Sequence, residues 1–421
     1  MAGAWRRRGL GYAGRVAIVV ALAVLVGRAW AQVDPAPPPK LTPAQWSLVA
    51  IPDPQAYTET YGAAGHLYDG RFDKQTEWIA ANVETLNIRF VSDMGDNVQN
   101  FARNPGEWTL AVRALNLLHR NHDPDQAAVV PYAVCCGNHD YDSNNMGSLV
   151  STFFEKNLGP GRFRDAQGKI KDAVREWYGG DDLDWEYVVG GKTAAKGVGR
   201  NSWQTFTAGG REFLHLTLET AVTDEGIAWA KTILAAHAGT PTIVSTHAFI
   251  DGGKAAGLRV GNRMGRLVTG GPNPTNDAPM MVEKLLAEND QIFLVLCGHT
   301  WMQAHRVIPN AKGHDVHVLE QCYHLNASGG RVYNAQKPAG GWPSGWTGPD
   351  DTQRNGSCWL TVLVFDPPGK TITRYTYSPL LGMWATDRAA DPGNRTFPVG
   401  DDVIEQFKFD FDERFGPAGG R

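Results

Sequence analysis

The stretch Cys136-Gly137-Asn138-His139-Asp140 sets an amide oxygen, an imidazole and a carboxylate side by side where the apolar run Pro131–Cys136 ends. Three further apolar runs stop on groups of the same kind. Trp46–Ile51 ends at Pro52-Asp53-Pro54-Gln55, Ile88–Val91 leads into Asp93-Met94-Gly95-Asp96-Asn97, and Ile292–Cys297 ends at Gly298-His299. Carboxylate, amide and imidazole donors suit divalent cations. A pair of such ions roughly 3.5–4 Å apart can clamp the attacking and leaving oxygens of an in-line displacement, with one carboxylate shared between them. Hydrolysis of an anionic ester is the chemistry this pattern serves. Glycine before Asp96, Asn138 and His299 lets backbone approach a ligand with no Cβ in the way. The apolar runs read as buried strands, and in open α/β sheets sites form outside the carboxyl ends of strands.

The order Asp-x-Gln, Gly-Asp, Gly-Asn-His-Asp, a lone His in Val244-Ser245-Thr246-His247, and Gly-His resembles the calcineurin-like metallophosphoesterases. The likeness runs from about Trp46 to Pro379. It includes Gln75–Ile79, Trp177–Gly180, Asn201-Ser202, Ala208–Gly210 and Thr376–Pro379, which look like a secreted bacterial branch with Gln in the first motif. The resemblance implies a four-layer α/β/β/α sandwich and two divalent ions (Mn, Fe, Zn or similar). It places Asp53 and Gln55 at the first ion, Asp96 between the ions, and Asn138, His247 and His299 at the second. It puts His139 beside the phosphoryl group to protonate or stabilise the leaving oxygen, with Asp140 orienting its ring. The nucleophile it implies is a metal-activated hydroxide, so no side chain becomes phosphorylated.

The chain departs from that pattern in two places. Gly298-His299-Thr300-Trp301 puts an indole where the family has a second histidine, and indole offers only an N–H donor. Gln99 stands at the second acidic position of the Gly-Asp motif. With a neutral amide also at Gln55, the first metal position is expected to be weak or empty, and His305 is a candidate substitute. The expected function is an exported metal-dependent hydrolase of small phosphomono- or phosphodiesters. A catalytically impaired metal- or phosphate-binding protein of the same fold is the competing reading. His139 and Asp140, which a mere binder would not need, favour the enzyme.

Residues 1–31 read as a signal peptide, with Arg6-Arg7-Arg8, the apolar run Val16–Val26 and Ala29-Trp30-Ala31 before Gln32. That run is too short for a comfortable membrane span. Exported material is expected to begin at Gln32, which N-terminal sequencing checks; an intact Met1 would contradict it. Residues 32–43 form a proline-rich spacer and residues 44–415 a single domain, since the candidate ligands stretch from Asp53 to His299. The chain carries a net charge of −4, and its first 31 residues hold five arginines and no acid, so their removal leaves −9. Such a chain lacks the basic footprint of a nucleic-acid binder. Its sequence does not specify an oligomeric state.

Helical patterns cover Asp73–Val83, Glu107–His119, Asp224–Ala236 and Pro279–Glu288, alternating with strands in the α/β manner. Strands at Asp315–Leu319, Cys358–Phe365 and Thr371–Tyr377 are expected in a second sheet. Tyr141–Gly199, Asp251–Asn276 and Asn326–Gly356 read as long loops, two of them leaving from ligand positions to rim the site, and Trp342 and Trp346 suit stacking on a substrate ring and ordinary packing of the loop equally well. The five cysteines read first as inert buried thiols, and Asp93 as a local structural residue.

Overall fold

The computed structural model describes residues 39–58, 70–143, 150–184, 186–189, 192–220, 222–251, 257–258, 275–300, 303–323, 358–380, 382–384 and 404–419. The signal, most of the spacer, Trp301, the Asn326–Gly356 loop with Trp342 and Trp346, and most of Asp251–Asn276 lie outside them.

In chain order the strands are β1 (Trp46–Ile51), β2 (Ile88–Asp93), β3 (Tyr132–Ala133), β4 (Tyr178–Asp181), β5 (Glu186–Val189), β6 (Lys192–Lys196), β7 (Ser202–Ala208), β8 (Arg211–Thr217) and β9 (Thr242–Ser245). They continue with β10 (Ile250–Asp251), β11 (Gly257–Leu258), β12 (Ile292–Cys297), β13 (Gln303–Pro309), β14 (Asp315–Gln321), β15 (Leu360–Asp366), β16 (Thr371–Ser378), β17 (Met383–Trp384) and β18 (Glu405–Lys408). Two seven-stranded mixed sheets hold most of them: one ordered β17-β16-β15-β1-β2-β3 with β18 beside β16, the other β13-β14-β12-β9-β8-β7-β4. Strands β1, β2 and β3 run parallel, as do β8, β9, β12 and β14. Their carboxyl ends carry the candidate ligands.

The sheets face one another across an apolar layer. Trp46, Leu48, Phe90, Phe206, Phe213, Phe293, Leu319 and Phe365 share it, and Trp46 stacks on Phe365 with centroids 3.9 Å apart. The second sheet's outer face packs helix Asp224–Ala236 through Ile227, Trp229 and Leu234. Helices Arg71–Asn82 and Pro105–Asn116 pack together by the first sheet, where Trp78 stacks on Tyr377 of β16. The four-layer α/β/β/α expectation is therefore met. Helix Asp224–Ala236 matches its sequence reading at both ends, for Thr223 caps the Gly226 N–H and two acids fill the first turn. No helix among the described residues is long and apolar enough to cross a membrane.

Three expectations need correction. Tyr141–Gly199 is not a structureless loop: it holds helices Thr152–Asn157 and Pro160–Phe163 and strands β4 to β6. Phe154, Leu158, Phe163 and Tyr178 are buried there, in elements too short to show a period. The strands after Gly313 do not share one sheet, since β14 pairs with β12 while β15 pairs with β1. Among the described residues, Pro131–Cys136 is in register with β2 at Tyr132 and Ala133, and the Pro131 carbonyl accepts the Val91 N–H. Beyond them the Cys135 N–H turns to the Asp93 carboxylate, 3.4 Å away. A side chain there takes over from the ladder.

Candidate functional site

Three of the strand tips supply their groups through turns that ordinary residues avoid. Asp53, Asp96 and His299 have φ of 34°, 55° and 77°, in the left-handed region that costs a non-glycine residue strain and collects at functional sites. The Gly-Asp turn is held by Asp93, whose Oδ1 accepts the Gly95 N–H at 2.9 Å and the Asn97 amide at 3.2 Å. That is the local structural role the sequence suggested. A Cβ on Gly298 would lie 2.1 Å from Asp53 Oδ2. Gly298→Ala should therefore push the Asp53 carboxylate away and cost about 1–3 kcal/mol of overpacking. A melting curve and elemental analysis check this, and wild-type values in both would sink it.

The turns bring four of the candidate ligands to one point. His247 Nδ1 lies 2.8 Å from the Met94 carbonyl, which can only accept, so Nδ1 carries the proton. Its Nε2 then faces Asn138 Oδ1 at 3.0 Å, Asp96 Oδ2 at 3.1 Å and His299 Nδ1 at 3.1 Å. Asp96, His247 and His299 form a group able to hold a metal ion. Lone pairs converging on a buried point call for a cation, so the residues fit the ion that the donor types suggest. Burial depresses His247, but Asp96 and then Asp53 outweigh it and raise its pKa to about 9. Burial works against ionised Asp96 too, yet His247 holds its carboxyl well below the usual range.

Asp53 stands next to this group, its Oδ1 3.6 Å from His247 Nδ1 and 3.0 Å from the His299 N–H. Burial pushes it to about 8 against the pull of His247, with Asp96 adding to the rise. Gln55 is buried and opens the short helix Gln55–Thr58 just after it. His305 does not fill a vacant place in this cluster. Its ring nitrogens meet Glu405 at 2.6 Å and His317 at 3.0 Å, and Phe407 packs against its ring.

His139 sits differently from its neighbours. Its backbone N–H donates to Asp96 Oδ1 at 2.7 Å, its Nδ1 donates to the Gln99 carbonyl at 2.7 Å, and its ring stacks on Phe101. The first turn of helix Pro105–Asn116 fixes that support. Glu107 accepts the Gln99 and Asn100 N–H groups, and Trp108 Nε1 donates to the Phe101 carbonyl. Asp140 does not orient the ring as expected. It accepts from the N–H groups of Gly137 (2.9 Å) and Asn97 (2.8 Å), and so ties the Asn-His loop to the Gly-Asp loop. Burial raises its pKa to about 7, with Asp96 adding to the rise. Phe101, Glu107 and Asn97 were not singled out in the sequence. Asn97, directly after Asp96, carried a positional signal; the other two carried none.

All five cysteines are buried and none is in a disulfide, in line with the bland reading. Cys322 nonetheless contacts the Asp53 carboxylate.

The family model for calcineurin-like phosphoesterases matches residues 48–302, a span that contains every candidate ligand. A curated relative, the uncharacterized protein YvnB of Bacillus subtilis, is 26% identical over 266 residues. The match covers 63% of this chain and only 16% of that protein's length. Among solved structures, a dimetal phosphatase from Danio rerio aligns with a TM-score of 0.41 at 9% identity, covering 81% of this chain and 98% of that one. GAP50, the anchor in the inner membrane complex of Plasmodium, aligns at 0.40 and 11% identity, covering 87% and 89%.

Proposed function

This chain belongs to the calcineurin-like phosphoesterase family, and we propose that it is a phosphoester hydrolase that cleaves small phosphomono- or phosphodiesters at the strand-tip cluster around His247. The observation that carries this reading is the set of Asp96, Asn138 and His299 atoms within 3.0–3.1 Å of His247 Nε2. Divalent cations seated there supply Lewis acidity and lower the pKa of an attacking water.

The chain's own groups divide the remaining work. Asp96 offers its Oδ2 to the cluster while the His139 N–H holds Oδ1 in place. Asn138 and His299 set their donor atoms against His247, and Asp53 with Gln55 would help to hold the first ion. His139 is only half-buried, and with Nδ1 tied to the Gln99 carbonyl its Nε2 is the nitrogen left to meet substrate. As an imidazolium it donates the Nε2 proton to the departing oxygen, the usual task of a positioned general acid. Asp140 holds the loop that carries it. The signal-like first 31 residues add an exported setting to this reading.

Hydrolysis of aryl phosphate mono- and diesters, with metal content measured on the same sample, tests it. Turnover should vanish on chelation and return with Mn²⁺ or Zn²⁺. Bound metal with no turnover on either ester class would leave a binding role only.

A further inference from the structure

We propose that Cys322 is a thiolate ligand of the first cation position, supplying the donor that this chain lost where Trp301 replaced a histidine. The proposal rests on the metal-dependent reading above and completes its weaker half.

Topology brings the thiol there. Strands β12 and β14 run parallel with Cys297 opposite Glu320, so Gly298-His299 and Cys322 leave the sheet at the same edge. Cys322 is fully buried, and its Sγ donates a hydrogen bond to the Asp53 carboxylate. That carboxylate also receives the His299 N–H at 3.0 Å and lies 3.6 Å from His247. Gln321, the residue before, is fully buried with no hydrogen-bond partner for its Oε1 among the described residues. This strand end therefore carries a thiol and, one residue before it, an acceptor with no partner among the described residues.

The other cysteines behave as plain buried thiols. Cys135 donates to the Leu218 carbonyl at 3.3 Å, Cys136 to the Gly137 carbonyl at 3.8 Å, Cys297 to the Leu319 carbonyl at 3.5 Å and Cys358 to the Arg71 carbonyl at 3.0 Å. Cys322 instead meets a carboxylate of the cluster. When a cation enters, the S–H bond breaks, a sulfur–metal bond forms and the proton leaves to solvent, as thiol ligation generally requires. A sulfur beside oxygen donors shifts preference toward zinc, iron or cobalt and away from magnesium or calcium.

Cobalt titration of the metal-free full-length protein tests this without reference to turnover. Wild type should take up about two Co²⁺ per chain, as two-metal sites do. Visible bands should come from the imidazole-carboxylate position and a near-ultraviolet thiolate-to-cobalt band from the other. Cys322→Ser and Cys322→Ala should lose the near-ultraviolet band and one ion while keeping the visible bands; Cys135→Ser should keep all of them. Full cobalt uptake by wild type without the near-ultraviolet band, or persistence of that band in the Cys322 variants, overturns the proposal. The wild-type spectrum decides even if both variants fail to fold. Absence of any cobalt binding overturns the metal-centre reading itself, along with this one.

Discussion

Asp96→Asn should empty both cation positions and lower turnover by about 10³-fold or more. Lewis-acid stabilisation is worth several kcal/mol, and each 1.36 kcal/mol is tenfold in rate. The substitution preserves shape but has no good orientation. Oδ1 accepts the His139 N–H at 2.7 Å and Oδ2 faces His247 Nε2 at 3.1 Å. An asparagine NH₂ placed at Oδ1 would set donor against donor, and placed at Oδ2 would aim hydrogens at the cation. Elemental analysis after dialysis, read beside turnover, is the measurement. Full metal content with wild-type activity would show that Asp96 shares no ion.

His139→Asn should lower turnover by about 10²–10⁴-fold, the usual contribution of a general acid, and leave bound metal nearly unchanged. The separation follows from geometry, because the His139 ring is held by the Gln99 carbonyl and by Phe101. Losing the stacked ring costs about 0.5–1.5 kcal/mol of aromatic contact, too little to unfold a chain of this size. Metal loss or unfolding in this variant would assign His139 to ligation or to the core.

The parts legible in the sequence were those governed by neighbours along the chain. Trp46–Ile51 and Ile292–Cys297 are buried along their whole length, as strands with parallel partners and both faces covered must be. The six candidate ligands were named from motif order, and four of them meet at His247 Nε2. What spacing could not give was who supports whom. The β7–β8 hairpin turns at Gly209 and Gly210, both at positive φ, and the alternation in Ser202–Ala208 was available but unread. Glu107 fixing Gln99, or Cys322 meeting Asp53 across 269 positions of chain, depends on which strands become neighbours. Nothing local encodes that. Asp140 illustrates the limit: its type and place were right for the site, but its hydrogen bonds go to two backbone turns.

The donors come from both sheets. Asp53, Asp96 and Asn138 follow β1, β2 and β3 of one, whereas His247 and His299 follow β9 and β12 of the other. A cation among them ties the two halves of the sandwich at one edge. An ion that binds only the folded chain adds RT ln(1 + [L]/Kd), about 2.7 kcal/mol at a hundredfold excess over Kd. Against a typical net stability of about 5–15 kcal/mol, that is a sizeable share. Folding and metal supply thus become one equilibrium, and a melting temperature for this protein has meaning only together with the free-ion concentration at which it was taken.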